Sequence, residues 1–202
     1  MFCCESRVFW ISLTASFCLT VVAGCDRRPK ALRPTNVNAA TAAAKAMTMY
    51  DANKDGNISG DELEKCRSLK AIAKNGEVTA ETIAEQISQW QNRGSGRVPV
   101  GFLVLHNGKP LAGATVKLVP EVFLTDLVTA VGETGATGGA PMSVPTSGPA
   151  EPKGASLGFY RIEITKEGED IPAKYNTETT LGLAVLGETN STFNLIYTLH
   201  GQ

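Results

Sequence analysis

The sequence predicts an α+β protein arranged as two units, a small helical unit followed by an all-β sandwich. Three observations favour this arrangement. Apolar residues follow a helical period between residues 39 and 92, they alternate with a period of two after residue 97, and a polar segment containing Gly and Ser separates the two patterns. The expected order is a leader over 1–24, a tether over 25–38, the helical unit over 39–92, a linker over 93–97 and the sandwich over 98–202.

The composition is that of a folded chain, with 43% apolar and 19% charged residues among 202. The 19 Lys and Arg residues against 20 Asp and Glu residues give a net charge of −1. No basic excess exists that would attract a polyanion, so we expect no nucleic-acid partner. With 2 His residues, the chain also offers little material for a zinc site or a His-based catalytic centre.

The first residues predict an export signal. The run Val8–Gly24 carries no charge and is shorter than the roughly 20 residues that span a bilayer. It ends in Val22-Ala23-Gly24-Cys25, which resembles the bacterial lipobox. The resemblance implies cleavage before Cys25, lipid on its sulfur and a membrane-anchored protein that faces the periplasm or the exterior. A plain signal peptide or an uncleaved anchor, with Cys25 incidental, is the alternative.

The segment Asp26–Asn38 predicts a tether, because it combines two Pro with four basic residues and almost no apolar side chain. Its basic residues could contact anionic headgroups, and a solvated spacer is the alternative.

Beyond Cys25, Cys66 is the one remaining cysteine of the sequence, so no internal disulfide is expected in the exported body. Its apolar neighbours favour a buried structural thiol over a nucleophile.

Residues 51–62 (DANKDGNISGDE) carry the one strong chemical motif. A hard divalent cation prefers oxygen ligands, and this run offers them at the spacing of an EF-hand calcium loop, with Gly56 at the sharp turn and Ile58 directed into the interior. We expect one Ca²⁺ with six ligand residues. These residues are Asp51, Asn53, Asp55, Asn57 through its carbonyl, Ser59 directly or through water, and Glu62. The alternative is an EF-hand relic that folds without metal.

The flanks of this loop also fit, because Thr41–Tyr50 reads as an entering helix and Asp61–Leu69 as an exiting one. A degenerate second loop follows at 71–82, with a turn glycine but with Ala, Ala and Thr at its first, third and twelfth positions. It therefore lacks calcium ligands. We expect it to supply Val78 for a small β-bridge to Ile58, after which a helix is capped by Thr79 and buries Ile83, Ile87 and Trp90.

After the linker the pattern predicts a sheet protein. The dipeptide Asn107-Gly108 marks a hairpin, and Tyr160, Ile162 and Ile164 share one inward face. The stretch Gly132–Gly154, rich in Gly, Pro and Ala, is expected to be a long loop. The expected strands are Val98–Leu105, Ala114–Val119, Met142–Val144, Leu157–Thr165 and Thr192–Leu199, the last with Leu195, Tyr197 and Leu199 on one face.

The run Asn107–Pro120 (NGKPLAGATVKLVP) resembles the opening hairpin of carboxypeptidase regulatory-like domains, and Gly158–Thr165 resembles a later strand of these domains. The run Ile171–Gly182 resembles a segment of small bacterial lipoproteins of this kind. The resemblance covers about Val98–Leu199 and implies a transthyretin- or Ig-like β-sandwich. It implies an accessory domain and not peptidase chemistry, because the zinc ligands of a carboxypeptidase are absent from the sequence.

Taken together, the motifs resemble a bacterial lipoprotein that combines an EF-hand calcium-binding motif with a carboxypeptidase regulatory-like sandwich. We expect a non-enzymatic, lipid-anchored protein with a structural or adhesive role at the cell envelope. The alternative is a calcium-stiffened binding module whose sandwich recognises a glycan or peptide. An enzyme is disfavoured because the sequence contains no G-x-S-x-G, no Cys–His candidate and no H-E-x-x-H, so no catalytic or cofactor-binding residue is assigned.

Overall fold

The computed structural model describes residues 32–145, 153–187 and 192–200 of the chain, without the side chains of 192–197. The expected leader, the expected lipidation site Cys25 and the side chains of Leu195 and Tyr197 lie outside what the structure describes. None of the helices in the described ranges is long and apolar enough to cross a membrane.

The α+β class is confirmed, because helices and several antiparallel sheets occur together. The α-helices of the described ranges are α1 (Ala39–Tyr50), α2 (Gly60–Lys65) and α3 (Ala80–Gln91), and 3-10 helices cover Arg67–Ile72 and Ala173–Tyr175. The strands are β1 (Ile58–Ser59), β2 (Glu77–Val78), β3 (Arg97–Val98), β4 (Val100–His106), β5 (Lys109–Pro110), β6 (Ala114–Pro120), β7 (Ala130–Glu133), β8 (Gly139–Pro141), β9 (Ala155–Ser156), β10 (Gly158–Lys166), β11 (Gly182–Val185) and β12 (Thr192–Leu199).

The helices α1 and α3 pack against each other and begin at capped residues. The Asn38 side chain accepts from the Thr41 N–H at 2.9 Å, which satisfies a donor that the first turn of α1 leaves free. Thr79 caps α3 in the same way, as predicted, through the Thr82 N–H. The buried face of α3 consists of Ile83, Ile87 and Trp90, which confirms the predicted apolar stripe.

The exiting helix is shorter than predicted. Instead of continuing to Leu69, α2 ends at Lys65, and Cys66 adopts a non-helical backbone with φ −130° and ψ 67°. A 3-10 helix then begins at Arg67, which directs Ser68 and Leu69 into the interior. The break lets this segment contact a sheet, and a helix period read from the sequence cannot report such a tertiary contact.

The main sheet has the order β11-β10-β6-β7, with antiparallel pairing throughout. A second sheet is built around β4, which pairs in parallel with β12 on one side and in antiparallel fashion with β5 and β8 on the other. The predicted hairpin is confirmed between β4 and β5, where Asn107 and Gly108 have φ of 51° and 78°. Strands β3 and β9 form a separate short ribbon.

The long loop predicted over Gly132–Gly154 was wrong in part, because β7 enters it and β8 lies within it. A Cβ at Gly132 would lie 2.7 Å from the Pro141 carbonyl oxygen, so the glycine allows close approach of two chain segments. The strand predicted over Met142–Val144 was also wrong, since only Ser143 forms a bridge there, with Val131. Residues 146–152 lie outside the described ranges.

Helices and sheets share one apolar cluster. The Trp90 ring of α3 lies 4.9 Å from the Phe159 ring of β10, centroid to centroid. Next to the 3-10 helix, Gly182 of β11 sits so close that a Cβ would collide with the backbone nitrogen of Ser68. Arg93, within the predicted linker, donates from Nη1 to the Gly187 carbonyl at 2.6 Å. The helical segment therefore packs directly on the main sheet.

Candidate metal centre

The candidate calcium loop connects α1 to α2. Asp51 closes α1, with its N–H donating to the Met47 carbonyl at 3.0 Å, and α2 begins at Gly60. Between them β1 pairs with β2 in antiparallel fashion, with Ile58 opposite Val78. This pairing confirms the predicted bridge to the degenerate loop, and both side chains are fully buried.

The backbone of the loop has positive φ at three residues, Lys54 at 61°, Gly56 at 88° and Gly60 at 48°. A Cβ at Gly56 would meet no atom within 4 Å, so the glycine is required by the backbone conformation and not by lack of space. The turn directs successive backbone N–H groups toward the side chains that precede them.

The first three predicted ligands accept these N–H groups. Asp51 accepts from the Asp55 N–H at 3.2 Å and from the Gly56 N–H at 3.0 Å. Asn53 Oδ1 also accepts from the Asp55 N–H, at 3.0 Å, and Asp55 Oδ1 accepts from the Asn57 N–H at 2.8 Å. In addition, the Asn53 amide donates to Asp55 Oδ2 at 2.8 Å. The side-chain oxygens are therefore folded inward over the loop.

Glu62 joins the two ends of the loop. Its Oε1 accepts from the N–H groups of Ala52 at 2.7 Å and Asn53 at 3.3 Å, while Oε2 accepts from the Ser59 N–H at 3.1 Å. Donation by Ser59, followed by donation from Ala52 and Asn53, lowers the pKa of the Glu62 carboxyl below its ordinary value. The last predicted ligand is thus held as a carboxylate across the loop.

The structure brings Asp51, Asn53, Asp55 and Glu62 into one hydrogen-bonded network, which Asn57 and Ser59 join through their N–H groups. Every predicted ligand is an oxygen donor, which suits a hard divalent cation. Across the described ranges 32–145, 153–187 and 192–200, however, no group of three or more His, Cys, Asp or Glu side chains is arranged so that it could hold a metal ion. The carboxylates of the three acidic candidate ligands, Asp51, Asp55 and Glu62, accept from backbone N–H groups in this arrangement.

The degenerate loop keeps the turn and lacks the ligands. Asn75 and Gly76 have φ of 54° and 84°. The turn is closed by the backbone alone, since the Lys74 N–H donates to the Glu77 carbonyl at 2.9 Å and the Glu77 N–H donates back at 3.1 Å. Its first and third positions are alanines, so no side-chain oxygen is present there.

A buried polar cluster beside the loop was missed by the sequence analysis. The Glu121 carboxylate accepts from the Tyr50 hydroxyl at 3.0 Å and from the Ser68 hydroxyl at 2.8 Å, and Cys66 Sγ lies 3.4 Å from Ser68 Oγ. Burial and the nearby Glu121 raise the pKa of Tyr50, and the same causes raise the pKa of the Cys66 thiol to about 12. Cys66 is therefore a buried, inert thiol, as predicted. The available signal was a lone Glu within the apolar run 118–124.

A second ionic cluster lies at the β4–β5 hairpin. His106 Nδ1 and Lys166 Nζ each lie 2.6 Å from a carboxylate oxygen of Glu169. Lys166 first, and His106 second, lower the pKa of the Glu169 carboxyl. These side chains are about one-quarter exposed and pair with each other.

No protein-family model, curated protein or solved structure matches this chain.

Proposed function

We propose that this chain is an exported, lipid-anchored protein that binds one Ca²⁺ in the loop 51–62 and serves a structural or adhesive role at the cell envelope. The observation that supports the proposal most directly is the position of Glu62. Its carboxylate bridges both ends of a loop whose other side-chain oxygens already face inward. In this proposal the ligands are Asp51, Asn53, Asp55, Asn57, Ser59 and Glu62.

When bound, the cation would compensate the negative charge of three carboxylates, which belong to Asp51, Asp55 and Glu62. By closing a loop whose ends are already joined through Glu62 and whose β1 strand is paired with β2, the cation would fix the angle between α1 and α2. Calcium is abundant outside the cell, so an affinity of about 10⁻⁵ to 10⁻³ M would be sufficient for constitutive occupancy.

The proposed architecture has two units. We regard the helical segment 39–92 as an EF-hand unit with one intact and one degenerate loop, and the segment 98–202 as a transthyretin-like sandwich. The β1–β2 pairing supports the first assignment, and the two four-stranded sheets with the Asn107-Gly108 hairpin support the second. The resemblance of 107–120 to carboxypeptidase regulatory-like domains supports a partner-binding accessory role rather than catalysis.

The envelope assignment depends on the leader and on Cys25, whose lipid would hold the protein at the membrane. Its partner there would be an envelope protein or glycan. Fractionation of cells that express the wild-type chain and Cys25→Ser tests the anchor. We expect the wild type in the membrane fraction and the variant in the soluble fraction, and membrane retention of Cys25→Ser would refute the lipid anchor.

Thermal unfolding of the detergent-solubilised chain, with calcium and with chelator, tests metal binding. Calcium should raise the Tm of the wild type, and Glu62→Gln should remove that rise, because a neutral amide is a poor substitute for a carboxylate ligand. Glu77→Gln is the matched control, since Glu77 is exposed and pairs through its backbone with Ser59 in the adjacent strand. Equal melting of the wild type in both conditions would refute the proposal.

A further inference from the structure

A single carboxylate connects the segments on both sides of the candidate calcium loop. Glu121 is 2% exposed and accepts one hydrogen bond on each oxygen, from the Tyr50 hydroxyl and from the Ser68 hydroxyl. Tyr50 is the last residue of α1 and directly precedes Asp51. Ser68 belongs to the 3-10 helix that follows α2. The two donors therefore flank the loop along the chain, and they meet at one acceptor.

The acceptor is held by the main sheet. Glu121 directly follows β6, and its N–H donates to the Phe159 carbonyl of β10 at 2.9 Å. Two residues later, the Phe123 ring packs edge-on against the Tyr50 ring at a centroid distance of 6.3 Å. On the other side, Gly182 of β11 allows the backbone of Ser68 to approach closely. The residues on both sides of the loop therefore contact the main sheet and the segment that follows β6, which lie outside the helical segment.

Directional hydrogen bonds make this arrangement specific. A buried carboxylate is strongly unfavourable unless donors satisfy it, and the hydroxyl groups of Tyr50 and Ser68 each donate to one oxygen of Glu121. Displacement of either Tyr50 or Ser68 would leave an oxygen of Glu121 without that donor. The cluster therefore resists any change in the spacing between the end of α1 and the segment that follows α2.

We propose that Glu121 is a positioning residue for the calcium loop. By holding Tyr50 and Ser68, it pre-organises the loop between them and raises its affinity for Ca²⁺. The inference rests on the proposed function, since it assigns Glu121 a role toward that same site. A ligand set that is ordered before binding loses less conformational entropy when it binds.

Calcium titration calorimetry on the detergent-solubilised full chain tests this inference. Glu121→Gln should raise the Kd for Ca²⁺ by about tenfold, the lower end of the effect seen when residues that orient metal ligands are replaced. Tyr50→Phe and Ser68→Ala should each raise the Kd by a smaller factor. In a double-mutant cycle, the effects of Tyr50→Phe and Glu121→Gln on the Kd should be less than additive, because both alter the same hydrogen bond.

Thr134→Val is the control for a general loss of stability. Thr134 is a buried hydroxyl of the same β region that accepts from the Ala114 N–H at 2.7 Å, and it does not belong to the cluster. This variant should lower the Tm and leave the Kd for Ca²⁺ unchanged. A Kd change as large as that of Glu121→Gln would overturn the assignment, because the affinity would then follow stability alone.

The remaining outcomes separate the two proposals. If the wild type shows no heat of calcium binding, either released or absorbed, the proposed function and the positioning role are both refuted. If the wild type binds calcium and all three cluster variants bind with the same Kd, the positioning role alone is overturned. If only Glu121→Gln weakens binding, the effect is one of charge and the positioning role is also overturned. If Glu121→Gln fails to fold, the Kd values of Tyr50→Phe and Ser68→Ala test the positioning role, because these variants keep the Glu121 carboxylate.

Discussion

The two turns of the helical segment have the same backbone plan and different chemistry. Gly56 and Gly76 both occupy the turn with φ of 88° and 84°, and each turn leads into a short strand and then a helix. The first turn is closed by side-chain oxygens, above all by Glu62. The second is closed by reciprocal backbone hydrogen bonds between Lys74 and Glu77.

The difference separates the part of the motif that builds the fold from the part that would bind the ion under the proposed function. The β1–β2 pairing and the burial of Ile58 and Val78 are shared by both turns. Inward-facing carboxylates occur in the first turn and have no counterpart in the second. We infer that the apolar bridge stabilises the segment with or without metal, and that only the first turn responds to calcium.

The largest expected effect comes from the shared bridge. Ile58→Ala should lower the free energy of unfolding by about 2 to 5 kcal/mol, because it leaves a cavity at a fully buried site. Denaturant unfolding with calcium and with chelator measures it, and the loss should be of similar size in both conditions. A loss confined to the calcium condition would show that the bridge depends on the ion.

Calcium itself should have the next largest effect. At a free concentration 100 times the Kd, a ligand that binds only the folded state adds about 2.7 kcal/mol to the free energy of unfolding. Asp51→Asn should reduce this gain by weakening binding, whereas Lys74→Gln in the second turn should keep it. Denaturant unfolding across a calcium series measures the gain, and an equal reduction in both variants would contradict the assignment of the ion to the first turn.

The turn glycines allow a sharper comparison. Gly56→Ala and Gly76→Ala should each lower the free energy of unfolding in chelator by about 1 to 2 kcal/mol, since a Cβ is strained at these φ values while the space around it is open. In calcium, Gly56→Ala should lower the free energy of unfolding by more than Gly76→Ala does. Denaturant unfolding of the pair in both conditions measures the difference, and an identical response to calcium would contradict it.

The smallest expected effect lies outside both turns, at Glu169. Lys166 and His106 lower the pKa of this carboxyl in the folded chain, so its contribution to stability is present above the unfolded value near 4.5 and is lost as the pH falls through the lowered pKa. In chelator, Glu169→Gln should therefore reduce the fall in Tm between pH 6 and pH 3 slightly. Calcium should not alter this difference between the wild type and Glu169→Gln. A difference that changes with calcium would contradict the inference that only the first turn responds to the ion.

The sequence was sufficient where the chemistry is local. The spacing of the loop residues, the Thr79 cap, the Asn107-Gly108 hairpin and the Ile58–Val78 pair all depend on neighbours within about 20 positions, so their residue types carry the prediction. The sequence was insufficient where contacts between distant segments determine the local structure. The glycine and proline of β7 and β8 resemble a loop until their close packing is seen, and the end of α2 at Lys65 follows from a contact with the sheet.

Glu121 is the clearest example of that limit. A Glu after a strand is ordinarily solvated, and nothing in its sequence neighbourhood predicts that Tyr50 and Ser68 will reach it from 71 and 53 positions away. The candidate ligands could be proposed from the sequence because they lie close together in it. The group that holds their flanks could not, because it comes from another part of the fold.

The glycine at position 182 has a consequence for how this chain can change over evolution. The backbone of Ser68 occupies the space in which any side chain at 182 would begin. Even alanine there would act as a wedge that moves the 3-10 helix off the sheet edge and draws Ser68 away from its acceptor. The absence of a Cβ at position 182 therefore sets the distance between the 3-10 helix and the main sheet. A substitution at this position would affect the candidate calcium loop, which lies more than 100 residues earlier in the chain.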